Sequence, residues 1–305
     1  MKLALKITGG VLAVLLAAAL ALVYVFGPTY GAMFTGKPIF LFGSSKSRIN
    51  TAMLDSAAAQ GLYADSPEFK DAYERAKDDP AALDDAITAA GGKHSTIYTR
   101  EEEESVPHTD PKVELRDNVV WATVPGIGRL EDGQAYADTL AHGLSDAPAC
   151  AAVVDLRGNG GGDMGPMLAG LSPLLPDGPA LYFQSRSQKT PVIVDGNHVA
   201  GGGTPTTTSG GKLDLPVAVL TDGETASSGE ATLLAFRGLD NVRTFGEPTA
   251  GYASANVVID YPDGRSLMLT VAKDVARTGE EFAEDPIAPD APLSELDGWL
   301  HDVCR

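Results

Sequence analysis

The stretch VVDLRGNGGGDM, Val153–Met164, joins an apolar run to a loop of glycines and then to a second apolar segment. The run, bounded by turn residues, predicts a buried strand, and the glycines after it leave backbone amides uncovered. Further along, Val217–Gly251 reads VAVLTDGETASSGEATLLAFRGLDNVRTFGEPTAG and places paired serines at a predicted helix start. An enzyme that attacks a carbonyl carbon needs these parts, because it must hold an oxyanion and supply an activated hydroxyl.

The surrounding sequence predicts strands that alternate with helices, which is typical of α/β architecture with a mixed or parallel sheet. A Pro-Asp-Gly turn at residues 262–264 predicts a hairpin, and the Gly201–Gly211 tract predicts a flap or a hairpin tip. We expect two or three short helices within Ile49–Ala90. The predicted core strands are Val119–Val124, Ala151–Leu156, Ala180–Ser185, Pro216–Thr221 and Val242–Gly246, and the predicted core helices are Asp132–Leu144, Met164–Leu175 and Ala226–Arg237.

Charge and composition limit the partners of the protein. The 305 residues carry a formal net charge of −18, which argues against a nucleic-acid or anionic-lipid surface. Metal-ligand motifs such as CxxC and HExxH are absent from the sequence, so no metal or organic cofactor is implied. The two cysteines, Cys150 and Cys304, are either disulfide-bonded in an exported chain or two isolated thiols.

The N-terminus carries the targeting signal. Lys2 and Lys6 precede 21 uncharged residues, Ile7–Gly27, which is about the length that a membrane-spanning helix needs. The flanking lysines favour a cytoplasmic N-terminus with the rest of the chain exported. A cleaved signal peptide is the alternative, since Ala19-Leu20-Ala21 resembles a cleavage site. We therefore expect an anchor or signal at 1–27, a linker at 28–47, a helical segment and connector at 48–117, and a catalytic core at 118–305.

Four ordered motifs resemble those of the C-terminal processing (tail-specific) peptidases, whose catalytic core is shared with tricorn protease. They are Val153–Gly162, Thr225–Glu230 (TASSGE), Gly246–Gly251 (GEPTAG) and Ile287–Asp290 (IAPD). The resemblance implies a ClpP/crotonase-like mixed sheet with flanking helices and a small N-terminal helical segment. It also implies a serine-type endopeptidase whose partners are peptides or unfolded protein segments.

The resemblance assigns roles to residues in these motifs. The family's nucleophile falls on Ser227, and the adjacent Ser228 is the alternative nucleophile. The oxyanion hole falls on the backbone amide of Ser228 together with that of Gly161 or Gly162. The family's PDZ domain is missing, because about two dozen residues separate the helical segment from the core whereas a compact domain needs roughly a hundred.

The proton carrier departs from the tail-specific pattern. Tail-specific members place a lysine after GEPTxG, where this chain has Tyr252, a poor base at neutral pH. Tricorn-like members use an upstream histidine, and His94 lies at the matching position, although Lys93 replaces the serine that precedes it there. An imidazole is suited to deprotonate a serine and then protonate the leaving amine.

The sequence does not determine which acidic residue orients the histidine. Glu230 lies one turn beyond Ser227 on the same predicted helix, and Glu247, Glu281 and Glu284 are alternatives.

Two other functions compete with a peptidase. One is a catalytically inactive descendant that binds peptides or apolar ligands, and the other is an esterase-like hydrolase.

Overall fold

The computed structural model describes residues 2–107, 109–145 and 148–305, so Met1, His108, Asp146 and Ala147 lie outside the described residues. The chain forms two compact units. Unit 1 comprises residues 1–106 and 256–271, and unit 2 comprises residues 107–255 and 272–305. The sequence-based division at residue 118 differs from this one mainly because residues 256–271 group with the N-terminal part of the chain.

The described helices bear out the helical interpretation of the N-terminal half and of the core. Ser45 and Ser66 cap the second and third helices through their side-chain oxygens, as small polar residues at N-caps commonly do. Short 3-10 turns lie at Pro80–Ala82, Ser172–Leu174 and Leu293–Glu295. The α-helices are α1 (Lys2–Thr35), α2 (Lys46–Gln60), α3 (Pro67–Asp78), α4 (Leu83–Gly91), α5 (Arg100–Glu104), α6 (Gly133–Ser145), α7 (Met164–Gly170), α8 (Ser228–Phe236) and α9 (Leu296–Val303).

The strands include all those predicted for the core, together with several short ones that the sequence pattern did not reveal. They are β1 (Thr96–Thr99), β2 (Lys112–Arg116), β3 (Val119–Thr123), β4 (Ala151–Asp155), β5 (Gly178–Ser185), β6 (Lys189–Asp195), β7 (His198–Ala200), β8 (Thr206–Thr207), β9 (Val217–Thr221), β10 (Val242–Gly246), β11 (Ser254–Asp260), β12 (Arg265–Ala276) and β13 (Glu281–Phe282).

Unit 1 packs α2, α3 and α4 against the hairpin formed by β11 and the first half of β12. Its core contains Ile49, Met53 and Ile87 from the helices together with Leu267 and Leu269 from β12, all nearly inaccessible to solvent. β1 pairs with β12 in antiparallel register, and Thr96 lies opposite Met268. This pairing fixes the residues just before β1, which include His94.

The N-terminal helix of unit 1 is longer than the sequence predicted. It continues through Pro28 to Thr35, whereas a linker was expected from residue 28. Within the described part of the chain, Gly10–Thr35 is long and apolar enough to cross a membrane by length and composition. Its large apolar side chains, such as Phe34, are exposed.

Unit 2 contains a sheet in the order β10-β9-β4-β3-β2, parallel except for β2. The carboxyl ends of parallel strands meet at one edge of a sheet, where ligands bind in open α/β folds. The glycine loop follows β4 and the paired serines follow β9, and these two strands are neighbours. The sheet therefore brings both sequence motifs to the same edge.

The second sheet region of unit 2 joins the second half of β12 to β5, β6, β7 and β8 through antiparallel pairs. Residues 201–205, the first part of the Gly201–Gly211 tract, form the tip of the β7–β8 hairpin, which is one of the two predicted alternatives, and β8 itself lies within the tract. The Asp163 side chain accepts from the backbone N–H of Thr204, which ties this tip to the start of α7. A core that includes Leu140, Leu168 and Phe236 fills unit 2.

Helix α9 covers the other face of the parallel sheet, where Leu296 and Trp299 pack with Phe245. A disulfide joins Cys150, at the start of β4, to Cys304, just after α9. The structure therefore decides between the two alternatives for the cysteines in favour of the disulfide. The bond closes a loop with a sequence separation of 154 residues.

Candidate active site

Ser227 lies at the N-terminus of α8 with an unusual backbone conformation. Its φ of 54° and ψ of −120° place a non-glycine residue in a sparsely populated region. Such a conformation costs about 1–3 kcal/mol and persists where the surrounding structure enforces it, often at active sites. The side chain is half-buried at the edge of the parallel sheet. A strained strand-to-helix turn is also the element that exposes the catalytic serine of α/β-hydrolases.

The glycine loop packs directly against this serine. A Cβ added at Gly161 would lie 2.6 Å from the Cβ of Ser227 and 3.1 Å from its Oγ. The φ of Gly161 is +103° and that of Gly162 is +115°, in the region that side-chain-bearing residues rarely adopt. Glycine is therefore required at both positions, by space as well as by conformation.

The backbone amides near Ser227 differ in their hydrogen bonding. Gly161 N–H donates to Oδ1 of Asn159 at 2.9 Å, so this predicted oxyanion-hole donor is engaged within the loop. Among the described residues, the N–H groups of Gly162 and Ser228 have no acceptor. The Ser228 amide also opens α8, where the helix dipole favours a negative charge. The arrangement can therefore stabilise an oxyanion with amides of Gly162 and Ser228.

The hydroxyl of Ser228 has a structural partner. Its Oγ donates to the carbonyl oxygen of Gly162 at 2.6 Å, which joins the helix start to the glycine loop. A hydroxyl held in this way supports the geometry of the loop.

Glu230 is a fully buried carboxylate that connects two of the sequence motifs, TASSGE and GEPTAG. Its Oε2 accepts from the N–H of Ser227 at 3.0 Å and of Tyr252 at 2.6 Å. Its Oε1 accepts from the N–H of Gly251 at 2.9 Å and from the hydroxyl of Thr249. Four donors account for the acceptor sites of a carboxylate. The candidate orienting acid thus holds the backbone of the candidate nucleophile.

Two polar residues that sequence reasoning missed complete this framework. Asn159 is fully buried, and its backbone carbonyl accepts from Ala226 N–H while its Nδ2 donates to Val124 O at 2.8 Å. Thr249 links GEPTAG to IAPD, because its Oγ1 also accepts from Ile287 N–H at 2.8 Å. The sequence did offer a hint of both residues. Asn159 is the one polar side chain among the glycines of GNGGG, and Thr249 is a polar side chain within GEPTAG.

His94 belongs to unit 1 and is held there by side chains of the hairpin. Its Nε2 lies 3.0 Å from Nδ2 of Asn256, whose Oδ1 accepts from the Thr270 hydroxyl at 2.7 Å. Burial lowers the pKa of His94 to about 4, and the positive charge of Lys93 acts in the same direction. The imidazole is therefore neutral at pH 7 and able to accept a proton.

The other candidates have roles that are less suited to catalysis. Tyr252 contributes its backbone N–H to Glu230. Glu247, Glu281 and Glu284 are exposed, whereas Glu230 is the buried acid at the serine. Across the described residues, no group of three or more His, Cys, Asp or Glu side chains is arranged to hold a metal ion.

The chain is similar to proteins of a known peptidase family. The model of peptidase family S41 matches residues 127–293. A nisin-resistance protein from Lactococcus lactis subsp. lactis is 34% identical over 307 residues, which cover 95% of this chain and 94% of that protein. The structure of a lipoprotein from Streptococcus agalactiae has a TM-score of 0.77 at 27% identity, covering 87% of this chain and 99% of that chain.

A structure from Parabacteroides merdae, at 16% identity and a TM-score of 0.51, shows a similar fold over 82% of this chain and 90% of that one. The fold and the family match define a serine-type peptidase with an S41 protease-like α/β fold. The chain belongs to peptidase family S41. This confirms the resemblance to the tail-specific and tricorn-core peptidases.

Proposed function

We propose that this protein is an extracytoplasmic endopeptidase in which Ser227 is the nucleophile and His94 is the general base. His94 takes the proton of the Ser227 hydroxyl while Oγ attacks the peptide carbonyl carbon. The amides of Gly162 and Ser228 stabilise the resulting oxyanion, and His94 then gives its proton to the leaving amine. Water hydrolyses the acyl-enzyme by the same steps and restores the serine.

One observation carries the proposal. Ser227 adopts a strained conformation at the start of α8 while the glycine loop presses against its side chain. Strain of this kind is retained where function requires it, whereas an ordinary N-cap serine has extended backbone angles. Gly162 and Ser228 supply amides that have no acceptor among the described residues, and the Ser228 hydroxyl joins the two segments through its bond to Gly162 O. Glu230 then acts by holding the Ser227 backbone in place.

The lowered pKa of His94 gives the proposal a pH signature. A base must be unprotonated, so activity rises as pH increases through the pKa of the imidazole. The acid limb of kcat/KM should therefore lie near pH 4, well below the value of about 6.5 expected for an unperturbed histidine. Activity lost with a midpoint near pH 6.5 would contradict the assignment of this buried imidazole as the base.

The relatives suggest where the enzyme acts and on what. One is named for resistance to nisin and another is described as a lipoprotein, which supports a place in the cell envelope. The helix Gly10–Thr35 would hold the enzyme to the membrane, or would be part of a cleaved signal. We propose that the substrates are peptides such as nisin or unfolded segments, bound in extended form along a sheet edge.

The direct test is hydrolysis of nisin by the purified protein, followed by mass spectrometry of the fragments. We expect new peptide fragments with the wild type, and a loss of at least about 10³-fold in rate for Ser227→Ala. Ser228→Ala is the matched control, and it should retain most of the activity because Ser228 acts through the loop. Cleavage that survives Ser227→Ala would overturn the assignment of the nucleophile.

His94→Ala tests the base separately and should cost at least about 10²-fold in rate. A parallel panel of peptide and ester substrates distinguishes an endopeptidase from an esterase-like hydrolase. If no peptide, ester or serine-directed probe reacted with the wild type, the protein would be a binding descendant of the fold.

A further inference from the structure

His94 is the first member of a short chain of polar contacts inside unit 1. Its Nε2 contacts Nδ2 of Asn256, and Oδ1 of Asn256 contacts Oγ1 of Thr270. The backbone N–H of Thr270 donates to Oγ of Ser95 at 2.9 Å. Ser95 follows His94 in the chain, so the contacts return to the residue beside the imidazole. Thr270 and Ser95 are 2% and 3% exposed, which protects these bonds from water.

The amide of Asn256 can serve both protonation states of the imidazole. When Nε2 carries no proton, Nδ2–H donates to it and Oδ1 accepts from the Thr270 hydroxyl. When Nε2 carries a proton, the amide turned by 180° accepts it through Oδ1 and donates through Nδ2 to Thr270. The hydroxyl permits this exchange, because it can donate or accept.

Nε2 contacts Asn256 in both orientations, but a neutral imidazole carries only one ring proton. Nδ1 carries that proton in the first orientation and keeps its lone pair only in the second, in which Nε2–H donates to Oδ1 of Asn256. A general base needs the lone pair of its other nitrogen, which is Nδ1. The contact also fixes the rotation of the ring, as the third residue of a nucleophile–base pair generally does. We propose that Asn256 is a positioning residue whose Oδ1 accepts from Nε2–H of His94, so that Nδ1 keeps its lone pair and accepts the Ser227 proton. This inference rests on the proposed function, in which His94 is the base.

The neutral side chain also has an electrostatic consequence. Asn256 gives the imidazolium a hydrogen bond but no compensating charge, and Lys93 adds a positive charge beside it. Asn256→Asp would place a carboxylate against Nε2–H, and an adjacent opposite charge favours the protonated imidazole. The substitution should therefore raise the pKa of His94, and the acid limb of activity should move to higher pH.

The test compares the wild type with His94→Ala and with four variants of Asn256 and Thr270, all in the full-length protein. A fluorophosphonate reacts with an activated serine, and its second-order rate constant is measured from pH 3 to pH 9. Asn256→Ala should slow labelling by about tenfold or more, which is part of the 10²–10⁴-fold that a general base contributes. Asn256→Asp should restore part of the rate and shift the acid limb upward by at least half a pH unit. Thr270→Val should slow labelling, whereas Thr270→Ser, which keeps the hydroxyl, should not.

Histidine NMR gives a readout that does not depend on activity. The His94 imidazole should titrate at higher pH in Asn256→Asp than in the wild type. Circular dichroism establishes that each variant is folded.

The outcomes separate this inference from the proposed function. If His94→Ala labels at the wild-type rate, His94 is not the base, and both proposals fail. If His94→Ala abolishes labelling but Asn256→Ala and Asn256→Asp keep the wild-type pH profile, Asn256 does not position the base and only this inference fails. A slower Asn256→Ala with an unshifted Asn256→Asp profile would indicate a purely structural role, which also overturns the inference.

Discussion

Glu230→Gln is the substitution that tests most severely how this site is held together. The carboxylate accepts four hydrogen bonds, two at each oxygen, and is fully buried. Glutamine has the same shape, but an NH₂ group replaces one of the two acceptor oxygens. This NH₂ group would face the two donors that bind that oxygen in the wild type. At Oε1 the Thr249 hydroxyl can reverse and accept, but Gly251 N–H cannot. In that orientation Gly251 N–H has no acceptor, and the Thr249 hydroxyl, which still accepts from Ile287 N–H, loses the acceptor of its own proton.

The size of the effect follows from these contacts. A hydrogen bond to a charged group contributes about 1.5–3 kcal/mol, and an unpaired buried donor costs about 1–3 kcal/mol. The neutral amide also no longer strengthens the remaining bonds, while its burial is less costly than that of a carboxylate. We expect a net loss of about 2–5 kcal/mol in the free energy of unfolding. For a unit of this size, each kcal/mol lowers Tm by roughly 2–4 °C.

The assay is thermal unfolding followed by circular dichroism, with the rate of fluorophosphonate labelling measured on the same samples. Glu247→Gln is the matched control, because Glu247 is in a neighbouring motif and its side chain is exposed. We expect the control to behave as wild type in both assays. Labelling should fall in Glu230→Gln even below its Tm, since the backbone of Ser227 loses an anchor. A Tm within 1 °C of wild type together with unchanged labelling would refute the reasoning.

Gly161→Ala should abolish fluorophosphonate labelling, because the new Cβ would lie 2.6 Å from the Cβ of Ser227. Gly160→Ala is the control and should label normally, since a Cβ there meets no atom within 4 Å. Equal labelling rates for the two variants would contradict the close packing of Gly161 against Ser227. Asp274→Asn should make stability less dependent on pH, because burial and the charge of Glu230 raise the pKa of Asp274, whose Oδ1 has no partner among the described residues. Between pH ~3.9, where Asp274 titrates in the unfolded chain, and its higher folded-state pKa, only the unfolded chain releases the Asp274 proton. The free energy of unfolding of the wild type should therefore fall by up to about 1.4 kcal/mol per pH unit in this window. Wild-type and Asp274→Asn proteins with the same pH dependence of unfolding across pH 4–8 would oppose this. Reduction of the disulfide should lower the free energy of unfolding by up to about 5 kcal/mol, the chain-entropy value for a loop separation of 154 residues, and dithiothreitol that left Tm unchanged would contradict that value.

Much of the fold could be predicted because its strands are short apolar runs between turn residues. β10 has the predicted bounds, and β9 begins within one residue of its predicted start. The strands that were missed, such as β1 and β2, are polar, half-exposed and four or five residues long. Their position depends on pairing with distant partners, which single-sequence periodicity does not contain. Residues 256–271 were assigned to the core for the same reason, since long-range packing decides the unit to which a hairpin belongs.

The candidate site divides in a similar way. The glycine loop and the serine pair are adjacent to strands, so their convergence follows from parallel pairing of β4 and β9. The buried polar framework is different, because Asn159, Thr249 and Asn256 take their roles from hydrogen bonds to residues far away in sequence. Glu230 was predicted as an orienting acid, yet its contacts are with backbone amides and a threonine. Residue type alone does not distinguish these two uses of a buried carboxylate.

The central claim is that Ser227 is the nucleophile of a serine peptidase. The measurement that tests it most directly is mass-spectrometric mapping of the adduct formed when the full-length protein reacts with a fluorophosphonate. The account predicts one phosphonyl group per chain, attached to Oγ of Ser227. An adduct on Ser228 instead, or peptide hydrolysis by a protein that forms no adduct, would contradict it.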